Sequence, residues 1–258
     1  MLGDRALLAA DGLAVRVGTR TLVRDLFIEI RAGEFVAILG RNGSGKTLTL
    51  HTLAGLRPAA QGVVRMGGTP LSQMSRRAIA RQCGFLAQDL EDSFVTTALE
   101  SVLIGRHPHL SMWQWESDED ERVAHRALSA VDMASLSQRL TDTLSGGERR
   151  RVAIASLLAQ DPALFLLDEP TNHLDPHHQL AVLSLFRELA DGGRAVIATL
   201  HDPTLAARFA DRALLLAGDG SWTAGAVGQE LTAARLSELY FTPVLEIQHN
   251  GRRVFVPE

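Results

Sequence analysis

The string GRNGSGKT at Gly40 to Thr47 constrains this chain more than any other, because few local architectures can hold it. It fits G-x-x-x-x-G-K-[ST], whose glycines let successive backbone N–H groups curl around phosphate oxygens where a side chain would block the approach. Lys46 would reach the outer phosphates and Thr47 would offer its hydroxyl to Mg²⁺. A helix starting near Lys46 aims its positive end at the same anion. A lone glycine-rich match could be a surface loop, so the flanks matter. Phe35 to Leu39 (FVAIL) is a continuous apolar run, as expected of a buried parallel strand, and Lys46 to Leu56 can form the following helix. Strand, loop and helix in that order favour a phosphate site.

A second apolar run, ALFLL, ends in Asp168 and Glu169. Two charges at the edge of a core are costly unless paired, and no ion-pair partner is identifiable in the sequence. A Mg²⁺-nucleotide site supplies the partner: Asp168 is placed to hold the metal, directly or through water, and Glu169 to polarise an attacking water as general base. LSGGE at Leu144 to Glu148 has two explanations. Ser145 and Glu148 make a capping box, which helix initiation alone accounts for. Gly146 and Gly147 are not so explained, since glycine in a helix costs up to ~1 kcal/mol relative to alanine. Close approach of a phosphate does explain them, which makes this helix start a second anion site. One loop already occupies one nucleotide's phosphates. The economical arrangement is a dimer in which each chain's second site closes on the other's nucleotide.

With these strings in order, the chain resembles the ATP-binding subunits of ABC transporters over nearly its whole length. Gln88, in FLAQD, matches the family's Q-loop glutamine, which contacts Mg²⁺ or the lytic water and faces the membrane subunit. TNHLD at Thr171 to Asp175 resembles the D-loop, and His201, after AVIATL, matches the switch histidine that contacts the γ-phosphate. The resemblance implies a catalytic set of Glu169, His201, Gln88 and Lys46 and a metal set of Thr47, Gln88 and Asp168. It implies ATP contacts from Gly40, Arg41, Asn42, Gly43, Ser44, Gly45, Lys46, Thr47 and Leu48, with Ser145, Gly146, Gly147, Glu148 and Asp175 acting across the dimer. Asp175-Pro176 and Asp202-Pro203 each also read as a helix cap with proline at the first position. That is the favoured account of Asp202, while Asp175 is read as both cap and interface residue.

One departure from the family pattern lies at Val17, in LAVRVG, where an aromatic usually stacks on adenine. No Phe, Tyr or Trp precedes Phe27, so adenine is expected against aliphatic surface, with weaker base selectivity. Glu148 stands where glutamine is commoner and is not read as inactivating. GRHPH at Gly105 to His109 and LHDPTLAARFADR resemble the branch that imports iron-siderophores, vitamin B12 or haem, with a slight lean to B12. The expected partners are a second copy, multi-helix permease subunits and, indirectly, a substrate-binding protein. His107 and His109 lack the further ligands a metal site wants, so partner contact or plain surface is expected. His177 and His178 are expected to begin a helix and face solvent. Trp113 and Trp115, in SMWQWESDED, are expected to tuck onto the helical insert, since exposed tryptophan is uncommon. The permease groove is expected near Gln88 and Ser93 to Gly105.

Composition bounds the alternatives. At 258 residues, 46% hydrophobic, the chain can bury a full core but has room for one such ATPase unit. That leaves no space for the coiled coils of a chromosome-organising ATPase or for the two units of a ribosome-acting one. A regulatory module without catalysis remains an alternative, against which intact Lys46, Asp168, Glu169 and His201 stand. A net charge of −4 gives no support to nucleic-acid binding. No apolar stretch reaches the ~20 residues of a membrane helix, and MLGDRALLAADG lacks a signal peptide's basic start. A peripheral protein on the cytoplasmic face of the inner membrane is expected. Cys83, the single cysteine, excludes an internal disulfide and is expected to pack beside the strand before Gln88.

Periodicity predicts an α/β chain with a mainly parallel sheet covered by helices, preceded by an antiparallel strand pair joined near Gly18. The resemblance makes this a P-loop NTPase with a RecA-like core. A single ABC ATPase domain, 1–258, is expected to divide into an antiparallel β-subdomain (5–33 and 60–70), a core (34–59, 71–90 and 161–220) and a helical signature subdomain (91–160). The last segment, 221–258, is expected to form a helix and a hairpin turning near Asn250-Gly251.

Overall fold

The computed structural model describes residues 6–88, 95–111 and 114–258. β1 (Leu8–Val17) and β2 (Arg20–Ile30) form an antiparallel pair across Gly18-Thr19, with Gly18 at φ +55°. β3 (Phe35–Gly40), buried at every position, runs into α1 (Lys46–Leu53). β4 (Gln61–Met66), β5 (Thr69–Pro70), α2 (Arg76–Ala80) and β6 (Cys83–Leu86) follow. Then come α3 (Ala98–Leu103), α4 (Asp118–Ala130), α5 (Gly146–Gln160), β7 (Leu164–Leu167), α6 (Pro176–Asp191), β8 (Ala195–Thr199) and α7 (Pro203–Phe209). The chain closes with β9 (Arg212–Leu216), β10 (Trp222–Ala226), α8 (Val227–Glu230), α9 (Ala233–Tyr240) and the hairpin β11 (Val244–His249) and β12 (Arg252–Pro257).

The central sheet has the order β10-β9-β3-β8-β7-β6 and is parallel except for the edge strand β10. Alternate side chains of its strands feed two cores. Phe35, Ala37, Leu39, Phe165 and Leu167 pack with Val152, Leu157 and Phe186 from α5 and α6. Val36, Ile38, Leu164 and Leu166 pack with Leu50 and Leu53 of α1 and with Leu8 and Leu26 of the second sheet, ordered β2-β1-β4-β5. Burial on both faces explains why these strands are continuous apolar runs.

Caps set the helix starts. Ser145 with Glu148 begins α5 as a complete capping box, and Asp202 begins α7 by accepting a bond from the Thr204 N–H at 2.7 Å. α1 stops at Leu53, short of the expected Leu56, because Gly55 at φ +70° turns the chain away. Edge strand β10 has little signal beyond Trp222 and Thr223, because Ala224, Gly225 and Ala226 lack strand propensity; it forms because β9 offers a register.

Three further expectations need correction. Trp115 is 86% exposed and does not tuck onto the helical insert, while Trp113 lies outside the described residues, as does Ser93. His178 is half-buried, its Nδ1 2.8 Å from Asp175 Oδ2, so only His177 of that pair faces solvent. GRHPH is an internal clasp. Arg106 donates to Asp120 and to the Ala159 carbonyl, Arg77 and Arg81 both donate to the Pro108 carbonyl, and His109 Nε2 sits 2.8 Å from the Gln160 carbonyl. Only His107 keeps an exposed ring, 3.7 Å from Glu116. Cys83 is the first residue of β6, where burial pushes its thiol up to about 12.

Candidate functional site

Because β3, β8, β7 and β6 lie side by side and parallel, the segments that follow them meet at one edge of the sheet. A cavity of about 570 Å³ opens there. Val17, Arg20 and Leu22 line it from the first strand pair, Asn42, Gly43, Gly45, Lys46, Thr47 and Leu48 from the glycine loop and the start of α1, and Gln88, Glu169 and His201 from the segments after β6, β7 and β8. Two glycines of the loop, Gly40 and Gly45, are crowded, while Gly43 has open space but a left-handed backbone at φ +75°. A Cβ on Gly40 would come within 2.5 Å of the Leu216 carbonyl oxygen and Ser44 Oγ, and Gly45, at φ +102°, would meet Leu22 at 3.0 Å. Lys46 is buried, its Nζ donating to the Gly40 carbonyl at 2.8 Å and the Arg41 carbonyl at 3.3 Å. Burial lowers its pKa, and the nearby charges of Glu169 and then Asp168 act in the opposite sense.

The carboxylates at the end of β7 are held in part by two residues the sequence did not single out, Thr199 and Arg150. Asp168 is fully buried; its Oδ1 accepts the Thr199 hydroxyl at 2.6 Å, while its Oδ2 has no hydrogen-bond partner. Glu169 has a left-handed backbone, φ +49°, anchored by its N–H to Thr199 Oγ1 at 2.8 Å. Its Oε1 lies 2.5 Å from His201 Nε2, and its Oε2 accepts from Asn172 Nδ2. A non-glycine residue held at positive φ stores strain of ~1–3 kcal/mol, the kind of cost met at functional positions. Arg150, 1% exposed on α5, donates to the carbonyls of Asp168 at 2.6 Å and Glu169 at 2.8 Å, and to those of Gln88 and Ala87. Nothing in the string ERRR marks Arg150 from its neighbours except helical phase.

An unpartnered, buried carboxylate oxygen is costly, so Asp168 Oδ2, on a residue whose charge is felt by Lys46, suits a divalent cation. Ser44 Oγ, also buried and unpartnered, adds a free polar atom within the phosphate loop.

The remaining candidate residues do not line the cavity. Ser145 and Gly146 are exposed at the start of α5, with Ser145 Oγ accepting the Glu148 N–H at 3.2 Å and Glu148 Oε2 accepting the Ser145 N–H at 2.7 Å. Those bonds hold the Glu148 carboxyl below its ordinary value. Gly147 sits where a Cβ would come 3.1 Å from the His173 carbonyl oxygen. Asp175 caps α6, accepting the His178 N–H at 3.0 Å, and the Arg41 guanidinium lies 4.5 Å from the centre of the Phe241 ring.

A glycine loop at the carboxyl edge of a parallel sheet, with a buried lysine and two carboxylates on a nearby strand end, defines a P-loop nucleotide-hydrolysing protein. Residues 23–172 match the family model described as ABC transporter, and the chain belongs to that family. It is 42% identical to a hemin import ATP-binding protein of Streptomyces coelicolor, over 97% of this chain and 90% of that one. It is 37% identical to the ferric enterobactin transport ATP-binding protein of Escherichia coli, over 90% and 86%. Its fold matches a metal-chelate type ABC transporter in an inward-facing conformation, with TM-score 0.85, 29% identity and 98% of both chains covered. A dimeric ATP-binding cassette in a post-hydrolysis state, bound to ADP and Pi, matches with TM-score 0.73 and 25% identity, over 85% of this chain and 98% of that one. The chain is therefore an ABC-type ATPase. Among the described residues no helix is long and apolar enough to cross a membrane.

Proposed function

We propose that this chain energises an importer for a metal chelate or corrinoid, with haem or a ferric siderophore first on similarity, as a head-to-tail pair bound to membrane permease subunits. A substrate-binding protein delivers the cargo, and the pair works at the cytoplasmic face of the inner membrane. The observation that carries the catalytic reading is the Glu169–His201 contact of 2.5 Å, in a cavity that the glycine loop also lines. In this reading Gly43 to Thr47 hold the phosphates and Lys46 neutralises the outermost of them. Glu169 takes a proton from the attacking water, with His201 orienting the carboxylate and meeting the γ-phosphate. Thr47, Gln88 and Asp168 would hold Mg²⁺, which supplies positive charge against the phosphate oxygens.

The exposed start of α5 supports a site completed by a second copy, with Ser145, Gly146 and Gly147 of each chain meeting the other's nucleotide and Asp175 at the junction. Glu148 then fixes the Ser145 turn. Nucleotide drives closure only through a higher affinity for the closed pair, and Gln88 passes that closure to the permease. The chain acts as one ATPase domain whose helical segment, 91–160, moves against the core. Glu169→Gln is expected to cut steady-state ATP hydrolysis by ~10²- to 10⁴-fold and to trap an ATP-dependent dimer on size-exclusion chromatography. Hydrolysis at the parental rate would remove Glu169 as the base.

A further inference from the structure

The base end of the cavity lacks an aromatic ring, but it does not lack a flat group. Val17 and Arg20 are paired directly across the Gly18-Thr19 turn, and both line the cavity together with Leu22. Leu22 lies against the glycine loop, so this wall continues from the phosphate end outward to Val17 and Arg20. The Arg20 guanidinium is tethered: Nη2 donates to the Gly218 carbonyl at 2.9 Å. Gly218 itself presses on the loop, since a Cβ there would lie 2.9 Å from Ser44 Cα. This bond engages one of the five guanidinium N–H groups and neither face of the plane. Among the described residues Arg20 has no ion-pair partner, and its side chain stays exposed at the rim. A held, unpaired, planar cation therefore stands opposite the position from which the ring is missing.

We propose that Arg20 is the purine-contacting residue of this chain, its guanidinium plane packing on the face of the base over a floor made by Val17 and Leu22. This rests on the reading of the cavity as a nucleotide site. Guanidinium is delocalised and weakly hydrated, and it stacks on π-faces in a way an ammonium cannot reproduce. Every purine offers such a face, so the contact favours nucleotides over bare polyphosphate while discriminating little between adenine and guanine.

The test is calorimetric titration of the full chain with ATP, GTP and inorganic tripolyphosphate in Mg²⁺-free buffer, for the parent, Arg20→Ala and Arg20→Lys, after thermal melts confirm equal folding. Arg20→Ala is expected to weaken ATP and GTP alike by roughly 3- to 30-fold and to leave tripolyphosphate unchanged. Arg20→Lys keeps the charge and can still reach the Gly218 carbonyl, and is expected to remain at least about threefold weaker than the parent for ATP. Unchanged ATP affinity in Arg20→Ala would overturn the assignment. So would an equal loss for tripolyphosphate, which would make Arg20 a phosphate contact, or full rescue by lysine, which would make it a brace. A parent chain that binds neither ATP nor tripolyphosphate would instead defeat the nucleotide reading of the cavity.

Discussion

A single hydroxyl orients both carboxylates of the candidate site. Thr199 ends β8, gives its proton to Asp168 Oδ1 and receives the Glu169 N–H, so it fixes one side chain and the backbone turn that aims the other. Thr199→Val preserves shape and removes both bonds, leaving a buried carboxylate oxygen and a buried amide unsatisfied at a cost of ~1–3 kcal/mol. The variant is expected to unfold at lower urea and to lose ATP hydrolysis more than ATP binding, with Thr199→Ser recovering most of both. A loss of stability with hydrolysis intact would make the hydroxyl a packing element only. Lys46, Asp168, Glu169 and His201 were legible because each type sits at a loop or strand end where its chemistry stands out. Thr199 was not. Threonine suits a strand on its own account, and its partners follow from the register that sets Leu167 beside Ala198, which no local pattern carries.

At the scale of single elements, capping chemistry does more than begin helices. Asp120 closes the capping box of α4 on Ser117 and also accepts Arg106 Nε at 2.9 Å, with both side chains largely buried. Bonds from the Ser117 hydroxyl and N–H, then from Arg106, hold its carboxyl down to about 2 against an ordinary 3.8. A depressed carboxylate contributes stability that is present above the unfolded value and is lost as pH falls through the folded one. Asp120→Asn is therefore expected to be less stable than the parent by ~1–3 kcal/mol near neutral pH. The gap should narrow between about pH 4 and pH 2 in urea unfolding. A gap that stays constant across that range would show that the ionised form contributes nothing. The box itself is visible as Ser-x-x-Asp, but the Arg106 bond that joins α4 to the GRHPH clasp is not, because it forms where Arg106 also reaches the Ala159 carbonyl of α5, a tertiary contact that no local pattern carries.

Across the whole molecule, the strand order decides which distant segments meet, and the sequence shows the strands without showing their order. The alternation of apolar runs and helical stretches made a parallel sheet legible, while the placement of β8 between β3 and β7 comes from packing. Arg150 spans the seam that results. It leaves α5 and ends among the carbonyls that follow β6 and β7, so that helix and the candidate-site edge of the sheet share one buried cation. Arg150→Met keeps much of the side-chain volume but strands several carbonyls in the interior, each worth ~1–3 kcal/mol when unsatisfied. The expected result is a marked fall in unfolding midpoint, with hydrogen exchange rising together in α5 and in the Asp168–Pro170 turn. Arg149→Ala, one position along the same helix on a half-buried side chain, is expected to stay within ~0.5 kcal/mol of the parent. If Arg150→Met raised exchange in α5 alone, the two segments would be neighbours without being coupled. Joint loosening of both, at a nucleotide-free site, would show that Arg150 couples the stability of α5 to that of the turn carrying Glu169.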